Sequence, residues 1–403
     1  MKCGLLGRKL GHSYSPAIHA LLGDYEYRLY ELEPEKLPDF LRNGDWDGIN
    51  VTMPYKQAVI PYLDEVSAIA EQLGAVNTVI RRDGKLIGHN TDYWGFQAML
   101  KKSGLQPAGK KCLVLGSGGA SKVAQLVLKL TGAQVVEISR TGENHYESLY
   151  RHEDAAIIVN ATPVGMYPNT GASAVSLDQF PHLEGVLDLI YNPARTQLLL
   201  DAEKRGIVAM NGLYMLVCQA ICAAVHFGAA SAGPERTEKI HGILRSEMEN
   251  IILIGMPGCG KTTAGRHLAE KTGKIFVDAD AEIEKAAKKS IPSIFAEDGE
   301  AVFRDWETKV LSELGKQSGL VIATGGGCVT KARNYPLLHQ NGRIFWLQRE
   351  LPKLPTDGRP LSRDLADMYR VRESMYRAFA DFVIDNNGHV EAAVLQITDQ
   401  LYS

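Results

Sequence analysis

Cysteine is scarce in this chain, and what there is lies scattered. The six residues, at 3, 112, 218, 222, 259 and 328, form no CxxC pair. That spacing excludes a disulfide framework and a structural zinc site, and it suits a reducing cytoplasm. Blocks of like charge are missing too. The 44 basic and 47 acidic side chains are dispersed and leave a net charge of −3. Neither a nucleic acid nor an anionic membrane surface is therefore the expected main partner. No apolar run is long enough to cross a bilayer; the longest, around 213–230, is broken by Gln219 and His226. The N-terminal stretch MKCGLLGRKLGHS has no long apolar core and no obvious cleavage site, so no signal peptide is expected.

What is present is a globular composition, 45% hydrophobic and 23% charged. A length of 403 residues exceeds one ordinary core and predicts two or three domains. Residues 1–100 alternate short strand-like runs (KCGLLG, WDGINVTM, VNTVIRR) with helix-like runs, and closing helices from about 211–230 belong with this block. From 101 to 210 the β-then-α rhythm is clear in KKCLVLG, SKVAQLVLKL, AQVVEIS, AAIIVNAT and GVLDLIY. Apolar runs alternating with helices predict a parallel, doubly wound sheet. A polar, small-residue segment and a helix, 228–249, form the expected linker, and the alternation restarts over 250–403 with IILIG, KIFVDAD, LVIATGGG and RIFWLQR.

Gly255, Gly260, Lys261 and Thr262 satisfy G-x-x-x-x-G-K-[ST] directly after a strand-like run. Glycines let backbone N–H groups curl around phosphate oxygens, and the helix that follows adds its positive end. Lys261 supplies a point charge for the β- and γ-phosphates, and the Thr262 hydroxyl is a ligand for Mg²⁺. Gly258, Cys259 and Thr263 complete the loop, with Cys259 expected to act through its amide. This pattern implies ATP or a similar triphosphate but not the acceptor.

Other residues narrow the acceptor. FVDADAEIE puts Asp278 and Asp280 at the end of the next strand, two apart and so on one side. One carboxylate can help hold Mg²⁺ while the other orients or deprotonates a hydroxyl; a helix N-cap, open to Asp280, is the plainer alternative. EAVFRDWE places Arg304 on a helix, and DGRPLS and RVRESMYR carry Arg359 and Arg372. Gly325, Gly326 and Gly327 follow an apolar strand, the usual sign of close backbone approach to a ligand.

In this order the P-loop, D-x-D, F-R-x-x-E, G-G-G, R-P-L and R-x-x-x-Y elements resemble the shikimate kinase family over about 250–392. The resemblance implies that Asp280, Arg304, Gly326 and Arg372 bind shikimate, with the arginines on its carboxylate. It implies that Thr262 and Asp278 serve Mg²⁺, and that Lys261, Asp280 and a lid residue, Arg359, act on the transferring phosphoryl group. The lid segment RELPKLPTDGRPL is Pro-rich and a few residues shorter than is usual in that family.

A second nucleotide turn lies earlier. LVLGSGGASKVA offers Gly116, Gly118 and Gly119 between a strand and a helix, with Ser121 in place of a third glycine. The flanking elements favour a dinucleotide turn over a tight βα turn that binds nothing. Ser139, Arg140 and Thr141 end the following strand, and an arginine there favours the 2′-phosphate of NADP. Glu137 is close by but is expected to be buried in the strand.

The first block adds separated polar residues: Ser13 and Ser15 in GHSYSP, Thr52 and Lys56 in INVTMPYK, Asn77 in GAVNT and Asp92 in GHNTDYWG. Singly, these read equally well as a helix cap, a turn and a capped helix start. Together with NATPVGM, LDLIYNP and NGLYMLVCQA they resemble the shikimate dehydrogenase family over 1–230. That resemblance implies that Ser13, Ser15, Thr52, Asn77, Tyr191 and Gln219 hydrogen-bond the substrate. It makes Lys56 and Asp92 the acid–base pair, and lines the NADP(H) site with Gly116, Ser117, Gly118, Gly119, Ala120, Ser139, Arg140, Thr141, Leu189 and Gly212.

The implied fold is α/β: a two-lobed dehydrogenase with a Rossmann-type NADP domain, followed by a P-loop, nucleoside-monophosphate-kinase-like α/β domain. The implied partners are small molecules, 3-dehydroshikimate and shikimate. One half would make the substrate of the other, and fusion would equalise the two activities. A tether does not by itself retain a freely diffusing product. Two competing readings are a quinate dehydrogenase fused to another small-molecule kinase, and a nucleotide-sensing regulator with a degenerate kinase half.

Overall fold

Among the described residues the apolar runs fold into three separate sheets. The computed structural model describes residues 1–11, 13–354 and 365–402. By packing, one unit comprises Met1–Val164, Ser173–Tyr191 and Leu198–Leu244, and a second comprises Gly165–Ala172, Asn192–Gln197 and the chain from Arg245 onward.

In the first unit, β1 (Lys2–Gly7), β2 (Glu26–Glu31), β3 (Gly48–Val51), β4 (Glu65–Val66), β5 (Thr78–Arg82) and β6 (Lys85–His89) form a mixed sheet of order β2-β1-β3-β5-β6-β4. β1 pairs with β2 and β3 in parallel, whereas β5 runs antiparallel to β3 and β6. Every residue of β3 is buried, and Ile49 and Val51 join Leu6, Tyr55 and Val79 in one core. β2 and β4 were not anticipated, because these edge strands are polar and half exposed and lack a strand-like apolar run.

The second sheet of this unit holds β7 (Lys111–Leu115), β8 (Gln134–Ile138), β9 (Ile157–Asn160), β10 (Gly185–Asp188) and β11 (Val208–Met210), all parallel, in the order β11-β10-β9-β7-β8. Cys112, Leu113, Val114 and Leu115 are fully buried, as expected for a parallel strand covered on both faces. Strand order reverses between β7 and β9. The crevice beyond those strand ends is where a doubly wound sheet receives a ligand.

Helix Asp92–Ser103 packs on helix Leu213–Phe227 at backbone distance: a methyl group added at Gly95 would lie 2.7 Å from Met215 O. The expected linker is largely helical, since Pro234–Met248 is one helix. Its Glu238 is held by Lys102 at 2.6 Å and by the Tyr214 hydroxyl at 3.2 Å.

In the second unit β12 (Asn250–Ile254), β13 (Ile275–Asp278), β14 (Leu320–Ala323), β15 (Gly342–Gln348) and β16 (Phe382–Asp385) form a parallel sheet of order β13-β14-β12-β15-β16. The central β12 is buried throughout, and its end feeds the phosphate loop. Among the described residues no helix is long and apolar enough to cross a membrane.

Candidate active sites

Lys56 lies on the short helix Tyr55–Ala58 after β3, and Asp92 opens the helix Asp92–Ser103. Backbone hydrogen bonds draw these segments together: Val76 N donates to Lys56 O at 2.8 Å and Asn77 N to His89 O at 3.0 Å. Lys56 Nζ meets Asp92 Oδ2 at 2.6 Å, with the side chains 30% and 16% exposed. The pair is thus sheltered but reachable.

The surrounding residues are placed less uniformly. Thr52 is half-buried, and its N–H donates to Leu6 O at 2.9 Å. Ser13 Oγ accepts from Ser15 N at 3.2 Å at the start of the helix Ser15–Leu22, whose N-cap residue is Tyr14 with no side-chain cap bond. Tyr191 packs edge-on against Tyr14 with ring centres 5.8 Å apart, and burial raises its phenol pKa. Gln219 Nε2 donates to Leu216 O in its own helix at 2.9 Å.

Asn77 was expected to face the substrate, but it is only 2% exposed and its amide is engaged. Oδ1 accepts from Thr91 N at 2.7 Å, and Nδ2 donates to Thr91 Oγ1 at 3.0 Å. Asn77 therefore anchors the residue preceding Asp92. Behind it runs a buried chain that the sequence did not disclose. Tyr27 Oη donates to Asn50 Oδ1 at 2.8 Å, Asn50 Nδ2 to Thr78 Oγ1 at 3.2 Å, and Thr78 Oγ1 to Asn77 Oδ1 at 3.1 Å.

At the earlier nucleotide turn, Gly116 has φ 105°, a conformation that favours glycine. Its N–H donates to Ile138 O at 2.7 Å, and the Ser121 hydroxyl closes the turn onto Gly116 O. Methyl groups at Gly118 or Gly119 would meet nothing within 4 Å, so this mouth is open. Ser117 and Ala120 line the same turn, whose helix begins at Gly119. Arg140 and Thr141 are exposed beside it, while the Ser139 hydroxyl donates to Thr141 O. The Glu137 carboxylate is taken by Gln125 Nε2, as suits a residue not used for ribose. Leu189 O lies against Gly212, which joins two expected lining residues. Asn160 and Asp188, not singled out earlier, are buried at the ends of β9 and β10 and bond each other at 3.0 Å.

The later nucleotide loop opens into a cavity of about 1290 Å³. Gly258, Gly260, Lys261, Thr262, Thr263, Asp278, Asp280, Arg304, Gly326 and Arg372 all line it. Gly255 and Cys259 do not. Cys259 is fully buried, and its amide, expected to serve a phosphate, donates to Met256 O at 3.2 Å. Lys261 Nζ bonds Gly255 O at 2.8 Å and Met256 O at 3.1 Å. Arg359 lies outside the described residues.

The two aspartates do not share the end of one strand. Asp278 ends β13 and is the N-cap, accepting from Asp280 N at 3.1 Å; Asp280 already belongs to the helix Ala279–Ala287. The cap is therefore Asp278 rather than Asp280. Asp278 Oδ2 also accepts from the Thr262 hydroxyl at 2.9 Å, which puts two oxygen donors side by side.

Arg304 sits on the helix Gly299–Lys316 and pairs with Glu307 at 2.9 Å and Glu300 at 3.1 Å. Arg372 and Tyr376, one helical turn apart, both donate to Gly326 O, Arg372 at 3.2 Å. The triglycine lies between these groups: a methyl group at Gly325 would sit 2.7 Å from Asp280 Oδ1 and 3.0 Å from Glu307 Oε1. Among the described residues those two buried carboxylate oxygens have no hydrogen-bond partner. Burial, then the nearby Asp278, raises the Asp280 pKa; burial raises that of Glu307 against the pull of Arg304. Glu307 lay inside the F-R-x-x-E pattern, but its place beside Asp280 needed the fold.

Comparison with known proteins is consistent with this division. A family model described as the shikimate dehydrogenase substrate binding domain matches residues 5–79, and one described as shikimate kinase matches residues 257–402. A shikimate dehydrogenase (NADP(+)) from Symbiobacterium thermophilum is 36% identical over 55% of this chain and 86% of its own length. A chorismate mutase/shikimate 5-dehydrogenase fusion from Clostridium acetobutylicum aligns with a TM-score of 0.57 at 37% identity, covering 60% of this chain and 96% of that one. The shikimate 5-dehydrogenase of Thermus thermophilus, solved with NADP(H) and shikimate, aligns with a TM-score of 0.55 at 32% identity over 60% of this chain and 98% of that one.

Proposed function

Because the chain belongs to the shikimate dehydrogenase family in its N-terminal part and carries a shikimate kinase domain at 257–402, we propose that it reduces 3-dehydroshikimate with NADPH and phosphorylates the resulting shikimate with ATP. The observation that carries the second half is the one cavity that joins the phosphate loop to Asp280, Arg304 and Arg372.

In the reduction, bound NADPH supplies the hydride to the carbonyl carbon. Lys56 gives a proton to the carbonyl oxygen, and its charge steadies the anion developing there. Asp92, 2.6 Å away, orients the ammonium group. Ser13, Ser15, Thr52, Asn77, Tyr191 and Gln219 hydrogen-bond the ring substituents, and Asn77 also fixes Thr91 and hence Asp92. The open turn at 116–120 suits the pyrophosphate, and the exposed Arg140 suits the 2′-phosphate.

In the phosphorylation, Lys261 and the loop amides hold the phosphates. Thr262 and Asp278 fit Mg²⁺, being adjacent hard oxygen donors. Among the described residues no group of three or more His, Cys, Asp or Glu side chains could hold a metal alone. The ion's other ligands would be phosphate oxygens and water, as is usual for Mg²⁺. Asp280 accepts the acceptor hydroxyl proton. Arg304, held by Glu307, and Arg372 bind the carboxylate. Arg359 is assigned to the transferring phosphoryl group on family likeness alone.

Separate assays of the full chain test this. Supplied with shikimate and Mg-ATP it should release ADP, and chelation of Mg²⁺ should stop the release. Supplied with 3-dehydroshikimate it should consume NADPH faster than NADH. Preferential turnover of quinate with NAD, or no ADP release from shikimate, would contradict the reading.

A further inference from the structure

We propose that Arg349 binds the phosphate chain of the nucleotide in the kinase cavity, a contact outside the phosphate-loop motif; this rests on the kinase reading of that cavity. β15 ends at Gln348, and Arg349 follows at once and lines the cavity. β15 pairs in parallel with β12, whose end enters the phosphate loop, so the residue just past β15 comes out beside that loop. Arg349 Nη1 lies 4.0 Å from where a side chain on Gly260 would begin. Gly260 is the residue that starts the helix Lys261–Thr272. Asn386 Nδ2 pins the loop nearby through Cys259 O at 2.6 Å.

The cavity's other cations are engaged. Arg304 pairs with Glu300 and Glu307, Arg372 bonds Gly326 O, and Lys353 pairs with Glu350 at 3.0 Å. Arg349 is half-buried, and its Nε is fully buried with no hydrogen-bond partner among the described residues. A buried donor without a partner is unfavourable and calls for an explanation. A guanidinium held this way beside a phosphate loop is matched to phosphate oxygens, which its fork can bind in pairs. The cations thus divide: Arg304 and Arg372 lie at the triglycine with the carboxylates, and Arg349 lies at the loop.

Steady-state phosphorylation of shikimate by the full chain decides the matter, with tripolyphosphate as an inhibitor competing with ATP. Arg349→Gln should raise KM for ATP and Ki for tripolyphosphate in parallel, each about tenfold. KM for shikimate and the NADPH-dependent reduction should not change. Arg349→Lys should recover part of the loss, because it keeps the charge without the fork. Unchanged constants for ATP and tripolyphosphate would overturn the proposal, as would a rise confined to shikimate. A higher KM for ATP with an unchanged Ki for tripolyphosphate would also overturn it, by putting Arg349 on the base or sugar. Should Arg349→Gln abolish the kinase unit's melting transition, the Lys variant decides by the same constants: a several-fold rise in both supports the contact, and no change overturns it.

Discussion

The two active regions satisfy their carboxylates to different degrees. Near the mixed sheet, Lys56 and Asp92 neutralise each other at 2.6 Å. In the kinase cavity Glu307 also pairs with Arg304, at 2.9 Å through Oε2, but its Oε1 and Asp280 Oδ1 flank Gly325 with no hydrogen-bond partner among the described residues. The first arrangement is satisfied as it stands, since each charge meets its opposite. The second leaves one oxygen of each of two carboxylates buried without a hydrogen-bond partner among the described residues, which is unfavourable.

Breaking each side of this contrast should give different signatures. The largest effect belongs to the reacting groups. Lys56→Ala should lower kcat for NADPH-dependent reduction about 10²–10⁴-fold with little change in KM, while ADP release from shikimate stays normal. A raised KM with surviving turnover would remove Lys56 from its role. Arg372→Ala should instead raise KM for shikimate in the kinase assay about 10–100-fold, because a charge-assisted contact is lost. Arg140→Ala should raise KM for NADPH about tenfold and leave that for NADH nearly unchanged; equal losses for both cofactors would argue against a 2′-phosphate contact.

The smallest effect concerns stability, and its sign sharpens the contrast. The folded-state pKa of Asp280 lies above its ordinary value of 3.8. The folded chain therefore binds more protons than the unfolded one just above pH 3.8, and stability falls as pH rises through the shifted value. Asp280→Asn should remove that slope and raise the melting temperature of the ligand-free kinase unit at neutral pH, while phosphorylation is lost. A lower melting temperature would mean that the buried carboxylate is structurally favourable after all.

Much of this architecture was legible in the chain. Buried parallel strands such as β7, β12 and β14 announce themselves because both faces need apolar residues. The polar edges β2 and β4 do not, since their identity comes from a neighbour's hydrogen bonds. The phosphate loop was legible because its chemistry is local to eight residues. Lys56 and Asp92 were reached through family likeness rather than spacing, since thirty-six positions separate them. The carboxylate pair was misread where a strand period was carried two residues too far: the chain turns helical at Ala279, so alternation no longer applies at Asp280. The bonds that Asn77 makes to Thr91 were not legible, because no sequence pattern reveals which neighbour its amide meets. The buried line from Tyr27 through Asn50 to Thr78 joins three strands, and only the assembled sheet brings those side chains within reach.

The most direct test of the central claim supplies the full chain with 3-dehydroshikimate, NADPH and Mg-ATP, and follows both nucleotides in one vessel. The account predicts that ADP appears after a short lag and then tracks NADPH consumption one for one, with 3-phosphoshikimate accumulating. NADPH consumption without ADP release, or ADP release that ignores the omission of NADPH, would contradict it.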